Sequence, residues 1–254
     1  MSAPSALGQE GGRVGYKDKL KHWAHRVLDP VVNGLGSAGI KPDHLTVAGF
    51  LLSVGAAIAF YEGLMRLGAG ILIVAGLCDI LDGQIARRTQ TVTRFGAFFD
   101  STLDRVAEAV VLIGLAGFYC SNLLGLYGKA AALVTQVAGG EVEGPLAIVI
   151  LHQQPIDPRA WLVLTLTCML ALTGSFMVSY TRARAEGLGL DCKVGWFERP
   201  ERIVLLIVAG LVQVFWAMSV ALILLTILSF TTAAQRMMHV YRITRGAGAD
   251  HTEV

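Results

Sequence analysis

The chain has 254 residues, of which 54% are hydrophobic and only 16% charged, where an ordinary soluble domain carries about a quarter charged, so the composition excludes an ordinary soluble enzyme in favour of a membrane protein. A formal net charge of +2, with basic residues scattered along the chain, gives no case for a nucleic-acid partner. The four cysteines, Cys78, Cys120, Cys168 and Cys192, show no CxxC spacing, which argues against a disulfide framework or a zinc site and predicts free thiols.

Residues 1–15 are polar and glycine-rich; they predict a disordered N-terminus and lack the short apolar core of a secretory signal. Over 16–35, Leu20, Trp23, Val27, Leu28 and Val31 recur at helical spacings among Lys17, Lys19, Lys21 and Arg26, which predicts an amphipathic helix lying in the membrane interface. A solvated basic N-terminus is the alternative. Pro42 and Asp43 then supply helix-start chemistry ahead of a first uncharged span over 45–61.

The second apolar run, 67–86, ends in CDILDGQIA, and the third begins at Phe95 and carries Asp100 and Asp104 ahead of AVVLIGLAGFY. Residues 122–158 predict an extended external connection, either a re-entrant or interfacial helix pair or a loop. A fourth span is expected over 160–180. The run 203–235 accommodates two more if it folds as a hairpin near Phe215 to Met218. The expected fold class is therefore all-α: six transmembrane helices over 40–242, preceded by the interfacial helix and followed by a tail over 243–254. Under this topology Lys17 to Arg26, Arg87, Arg88, Arg94, Arg182 to Arg202 and Arg236 to Arg245 fall on one side, and only Arg66, Lys129 and Arg159 on the other. The positive-inside rule makes the first side cytoplasmic, with the aspartates at that face of the cell membrane.

A carboxylate within a membrane span costs at least about 2.5 kcal/mol by insertion scales, so Asp79, Asp82, Asp100 and Asp104 need compensating partners. At about 100° per residue, Asp79 and Asp82 share a helix face with Gly83 and Ala86, and Asp100 and Asp104 share one with Gly96. Two such helix ends can approach a diphosphate together with one or two cations, the carboxylates supplying hard oxygen ligands. Intramembrane aspartates also suit a cation transporter, but transporters hold them near the bilayer midplane, whereas these lie at helix ends.

In order, Asp79, Asp82, Gly83, Ala86, Arg87, Gly96, Asp100 and Asp104 stand as DxxDGxxAR, eight residues, GxxxDxxxD. This resembles the motif of the CDP-alcohol phosphotransferase family, and Pro42, Asp43 and Thr46 in KPDHLTVAGF resemble that family's opening to its first span. The resemblance implies that Asp79, Asp82 and Asp100, with Asp104 at their edge, hold divalent cations, Mg²⁺ or Mn²⁺ and two in number. It implies that Asp104 is the general base, that Arg87 pairs with phosphate, and that Gly83, Ala86 and Gly96 clear space for the nucleotide of a CDP-activated lipid, Thr46 lying on the same donor site. A homodimer embedded in membrane lipid is also implied.

The later blocks SYTRARAEGLGLDCKVGWFERPERIVLL and QRMMHVYR gather Arg182, Arg184, Arg199, Arg202 and Arg236 on the aspartates' side of the membrane, a surplus of cations that suits an acceptor with its own phosphate. These strings are similar to those of the phosphatidylinositol-phosphate synthase branch of the family. That likeness implies CDP-diacylglycerol as donor and inositol 1-phosphate as acceptor, held by Arg182, Arg184, Arg202 and Arg236. Arg182 stands where actinobacterial members have Lys. Phosphatidylglycerophosphate synthesis from glycerol 3-phosphate is the alternative within the family. Arg199 is expected to pair locally with Glu198 and Glu201, and Arg182 with Glu186.

Overall fold

In a computed structural model the described residues are 34, 42–88, 93–145, 147, 157–212 and 214–249. They form six helices in chain order: α1 (Pro42–Tyr61), α2 (Met65–Arg88), α3 (Arg94–Ala138), α4 (Pro158–Gly187), α5 (Arg199–Val212) and α6 (Phe215–Ala249). No strand occurs among the described residues. The N-terminus 1–15 and the amphipathic helix expected over 16–35 lie outside them, apart from residue 34.

The helix starts follow the local chemistry. Pro42 begins α1, where its missing N–H is no loss, and Asp43 places a negative charge in the first turn. Thr93 caps α3, its hydroxyl accepting from the Gly96 N–H at 2.9 Å, and Asp157 caps α4 by accepting from the Arg159 N–H at 2.8 Å, with Pro158 next in line. At α5 the Glu201 carboxylate accepts from the Glu198 N–H at 3.1 Å, closing the first turn as a capping box does. Glu62, Gly63 and Leu64 turn α1 into α2. Gly63 sits at a φ of +77° and its missing Cβ makes room for the Phe118 ring.

Substantial contacts run α1–α3, α3–α4, α4–α6, α6–α5, α5–α2 and α2–α1, so the six helices close a ring. Phe60, Leu72, Leu112, Leu115, Tyr119, Leu206, Leu222 and Leu225 form much of its buried core. Where α3 crosses α1 the backbones nearly touch: a Cβ on Gly114 would collide with the Ala57 carbonyl oxygen. Such approaches suit helices that associate in lipid, where packing rather than expulsion of water holds them together. The outer surface is apolar as well, with Leu51, Ile58, Leu67, Val163, Leu166 and Ile227 exposed. Five of the helices are long and apolar enough to cross a membrane. The molecule is a multi-pass, all-α membrane protein.

Three expectations are corrected in detail. The fifth expected span is α5, whose 14 residues reach only about 21 Å at 1.5 Å per residue, so among the described residues five helices rather than six meet the length of a bilayer core. The hairpin between α5 and α6 falls just before Phe215. Residues 122–138, expected outside the spans, instead continue α3 without a break; at 45 residues that helix is about 67 Å long, roughly twice the hydrocarbon thickness. The tail expected from 243 onward is helical to Ala249.

Candidate active site

Six polar residues converge at one end of the ring. Asp79 and Asp82 come from the last turns of α2, Asp100 and Asp104 from the first turns of α3, Thr46 from the start of α1 and Arg199 from the start of α5. One carboxylate oxygen from each of Asp79, Asp82 and Asp100 lies within 4.8 Å of the others. Bringing three anions this close in a half-buried setting is costly unless cations or hydrogen bonds offset the repulsion. Thr46 Oγ1 donates to Asp82 Oδ2 at 2.7 Å, which fixes that carboxylate. Asp100 Oδ1, in contrast, is buried with no hydrogen-bond partner. A convergent set of hard oxygen donors, one of them otherwise unsatisfied, fits a divalent cation such as magnesium or manganese.

Asp104 stands outside this group of three. Nη1 of Arg199 donates to Asp79 Oδ2 at 2.9 Å and is 2.7 Å from Asp104 Oδ2, so one guanidinium links the cluster to the aspartate one turn beyond Asp100. The expectation of a purely local Arg199 pair is therefore overturned: Arg199, the first residue of α5, crosses into the carboxylates of α2 and α3, while Glu201 accepts from the Glu198 N–H and the Glu198 carboxylate reaches Arg182 and Arg236. The pair of Arg182 with Glu186 forms as expected, at 2.9 Å, and Glu198 approaches the same arginine at 3.4 Å.

Two larger cavities lie beside the cluster, and a small one lined by Thr46, Asp79, Asp82, Asp104 and Arg199 borders both. A cleft of about 400 Å³ runs along Asp82, Gly83, Ala86, Arg87, Gly96 and Asp100, with Thr46 also on its wall. The small residues of the motif hold it open: a Cβ on Gly83 would meet the Arg87 guanidinium at 3.6 Å, and one on Gly96 would press on Thr93 Oγ1 at 3.0 Å. On the far side of Asp104 a second cavity, of about 210 Å³, is bounded by Ser179, Arg182, Glu198, Arg199, Arg202 and Arg236 together with Arg105. Asp104 and Arg199 thus face the cavity that Asp79 and Asp82 do not.

The expected acceptor arginines are placed differently from one another. Arg182 is half-exposed on the wall of the second cavity, and Arg184 is exposed and does not line it. Arg202 is only 1% exposed and forms a two-pronged ion pair with Glu108, Nη2 to Oε2 at 2.9 Å. Arg236 is equally buried. It donates to the carbonyls of Val194 at 2.8 Å and Val178 at 2.6 Å and to Glu198 at 3.1 Å, tying α6 to α4 and to the loop 190–198. That loop is itself buried at Cys192 and Phe197, and Gly195 passes Thr232 at a φ of +101°.

Sequence reasoning missed Glu108 and Arg105. A signal for Glu108 was present, since a glutamate one turn beyond Asp104 in an apolar helix must find a cation. The four cysteines carry no disulfide, as expected.

A family model described as CDP-alcohol phosphatidyltransferase matches residues 40–234. The archaetidylinositol phosphate synthase of Methanothermobacter thermautotrophicus is 33% identical over 221 residues, covering 85% of this chain and 90% of the relative. The crystal structure of Mycobacterium tuberculosis phosphatidylinositol phosphate synthase with CDP-DAG bound superposes with a TM-score of 0.63 at 30% identity, covering 85% of this chain and 94% of that one. The same enzyme in complex with manganese and citrate gives a TM-score of 0.63 at 30% identity, covering 84% and 88%.

Proposed function

This chain belongs to the CDP-alcohol phosphatidyltransferase family, and we propose that it transfers a phosphatidyl group from CDP-diacylglycerol to inositol 1-phosphate, giving phosphatidylinositol phosphate and CMP. The observation that carries this reading is a pair of unlike cavities, both bordered by the small one that Asp82, Asp104 and Arg199 line. One is lined by Asp82, Asp100 and small residues and suits a nucleotide diphosphate. The other is ringed by arginines and suits an acceptor with a phosphate of its own.

Asp79, Asp82 and Asp100 would hold the cations, magnesium or manganese and two in number, with Asp104 at their edge. When bound, such ions supply neutralisation of the diphosphate oxygens and of the charge that develops on departing CMP. Thr46 keeps the Asp82 carboxylate aimed, and Arg87 offers a guanidinium to a phosphate lying in the cleft walled by Gly83, Ala86 and Gly96. Asp104 takes the proton of the attacking hydroxyl. That oxygen forms the new bond to the phosphorus next to the lipid as the bond from phosphorus to the CMP oxygen breaks, and CMP leaves with the electron pair. Arg199 holds the Asp104 carboxylate in place on the wall of the second cavity.

The distribution of Lys and Arg supports a cytoplasm-facing site in the cell membrane, with the segment 16–35 lying in the interface. The glycine- and alanine-rich spans suit a homodimer.

The experiment is a panel of acceptors given to the purified protein with CDP-diacylglycerol and Mg²⁺, CMP being measured. Release with inositol 1-phosphate that exceeds release with glycerol 3-phosphate or unphosphorylated inositol is the expected outcome. Preference for glycerol 3-phosphate would instead make the enzyme a phosphatidylglycerophosphate synthase.

A further inference from the structure

We propose that Arg105 grips the phosphate of the acceptor, setting its position in the second cavity; this rests on the phosphorylated-acceptor reading above. Five guanidinium groups line that cavity against two carboxylates, Asp104 and Glu198. Four of the five are already engaged. Arg182 pairs with Glu186 and Glu198, Arg199 with Asp79 and Asp104, Arg202 with Glu108, and Arg236 with Glu198 and two carbonyls. Arg105 is partly buried on the cavity wall and makes no ion pair or hydrogen bond with any described residue.

A phosphate monoester brings close to two negative charges at neutral pH and three acceptor oxygens. Drawing it onto Arg202 or Arg236 would mean breaking buried bonds that hold helices together, at a cost the new contact must first repay. Arg105 has no such bond to break, and its planar fork matches phosphate oxygens two at a time. It also follows Asp104 directly on α3, and both side chains face the same cavity. A molecule gripped at Arg105 by its phosphate therefore keeps its hydroxyl in the space that the base borders. A lipid headgroup phosphate could in principle satisfy the same guanidinium, and the test separates the two sources.

The test uses full-length enzyme in nanodiscs with Arg105→Gln and Arg105→Lys. For Arg105→Gln the acceptor KM rises about 10- to 100-fold, the loss expected of one charge-assisted hydrogen bond, while the KM for CDP-diacylglycerol stays within about threefold. Arg105→Lys recovers part of the loss, and inorganic phosphate, an inhibitor competitive with the acceptor in the wild type, inhibits Arg105→Gln much less. An unchanged acceptor KM overturns the inference, as does a fall in kcat alone, which would mark Arg105 as a support for Asp104. A defect that appears only in discs containing anionic lipid overturns it in favour of a headgroup contact. If the wild type turns over no phosphorylated acceptor and ignores inorganic phosphate, the parent reading fails and this inference with it; a normal wild type beside an unaffected Arg105→Gln defeats the inference alone.

Discussion

Substitution of Asp104 by Asn lowers CMP release about 10²- to 10⁴-fold, the range by which a positioned general base accelerates proton transfer, with manganese affinity changed little. The separation follows from the geometry: Asp79, Asp82 and Asp100 converge on one point, while Asp104 is joined to them only through Arg199. Asparagine retains the shape and one oxygen of the side chain, so Arg199 keeps its bond to Asp79 and the wall of the second cavity is preserved. Steady-state CMP release and manganese titration followed by electron paramagnetic resonance read the two effects separately. Asp100→Asn is the contrasting case, because it removes a proposed cation ligand whose buried Oδ1 has no hydrogen-bond partner; there, metal affinity and turnover are expected to fall together. An Asp104→Asn enzyme that turns over normally would remove Asp104 from the role of base.

The second large effect is on stability. Glu108 and Arg202 lie in the ring's interior with 7% and 1% of their surfaces exposed, and they satisfy each other at two points. Replacing Glu108 by Ala strands a buried guanidinium and is expected to cost about 3–5 kcal/mol, the usual penalty for breaking a buried pair from one side. The double variant Glu108→Met with Arg202→Met recovers much of that loss, since an apolar pair of similar volume avoids desolvating either charge. Thermal unfolding of the two variants and the wild type in the same detergent provides the comparison. Equal melting temperatures for Glu108→Ala and the wild type would show that the pair does not hold α3 to α5. The same reasoning assigns Arg202 a structural duty alongside its place on the acceptor cavity.

What could be read from the sequence was local. The aspartates were legible because helical spacing alone places Asp79 with Asp82 and Asp100 with Asp104, and apolar runs on either side locate both pairs at span ends. The Thr46 position followed from the opening of α1, and its bond to Asp82 then gave the reason for it. Arg199 was misread because its partner Asp79 lies 120 residues away. Local charge patterning pointed to Glu198 and Glu201, and only the packing of the loop 190–198, with Cys192 and Phe197 buried and Gly195 against Thr232, turns the first residue of α5 toward the cluster. Arg202 and Arg236 were recognised as part of one basic group, but their commitment to Glu108 and to backbone carbonyls depends on which helices neighbour each other in the ring. The length of α3 was hidden for another reason. An apolar run that exceeds a bilayer thickness looks the same whether it bends back or continues straight.

The most direct test of the account is the stoichiometry and identity of the lipid product. Enzyme incubated with CDP-diacylglycerol, Mg²⁺ and inositol 1-phosphate is analysed for CMP and for lipids by mass spectrometry. One phosphatidylinositol phosphate formed per CMP released is the predicted result. CMP accompanied by phosphatidic acid, or no lipid product that carries the acceptor, would contradict transfer between the two cavities at Asp104.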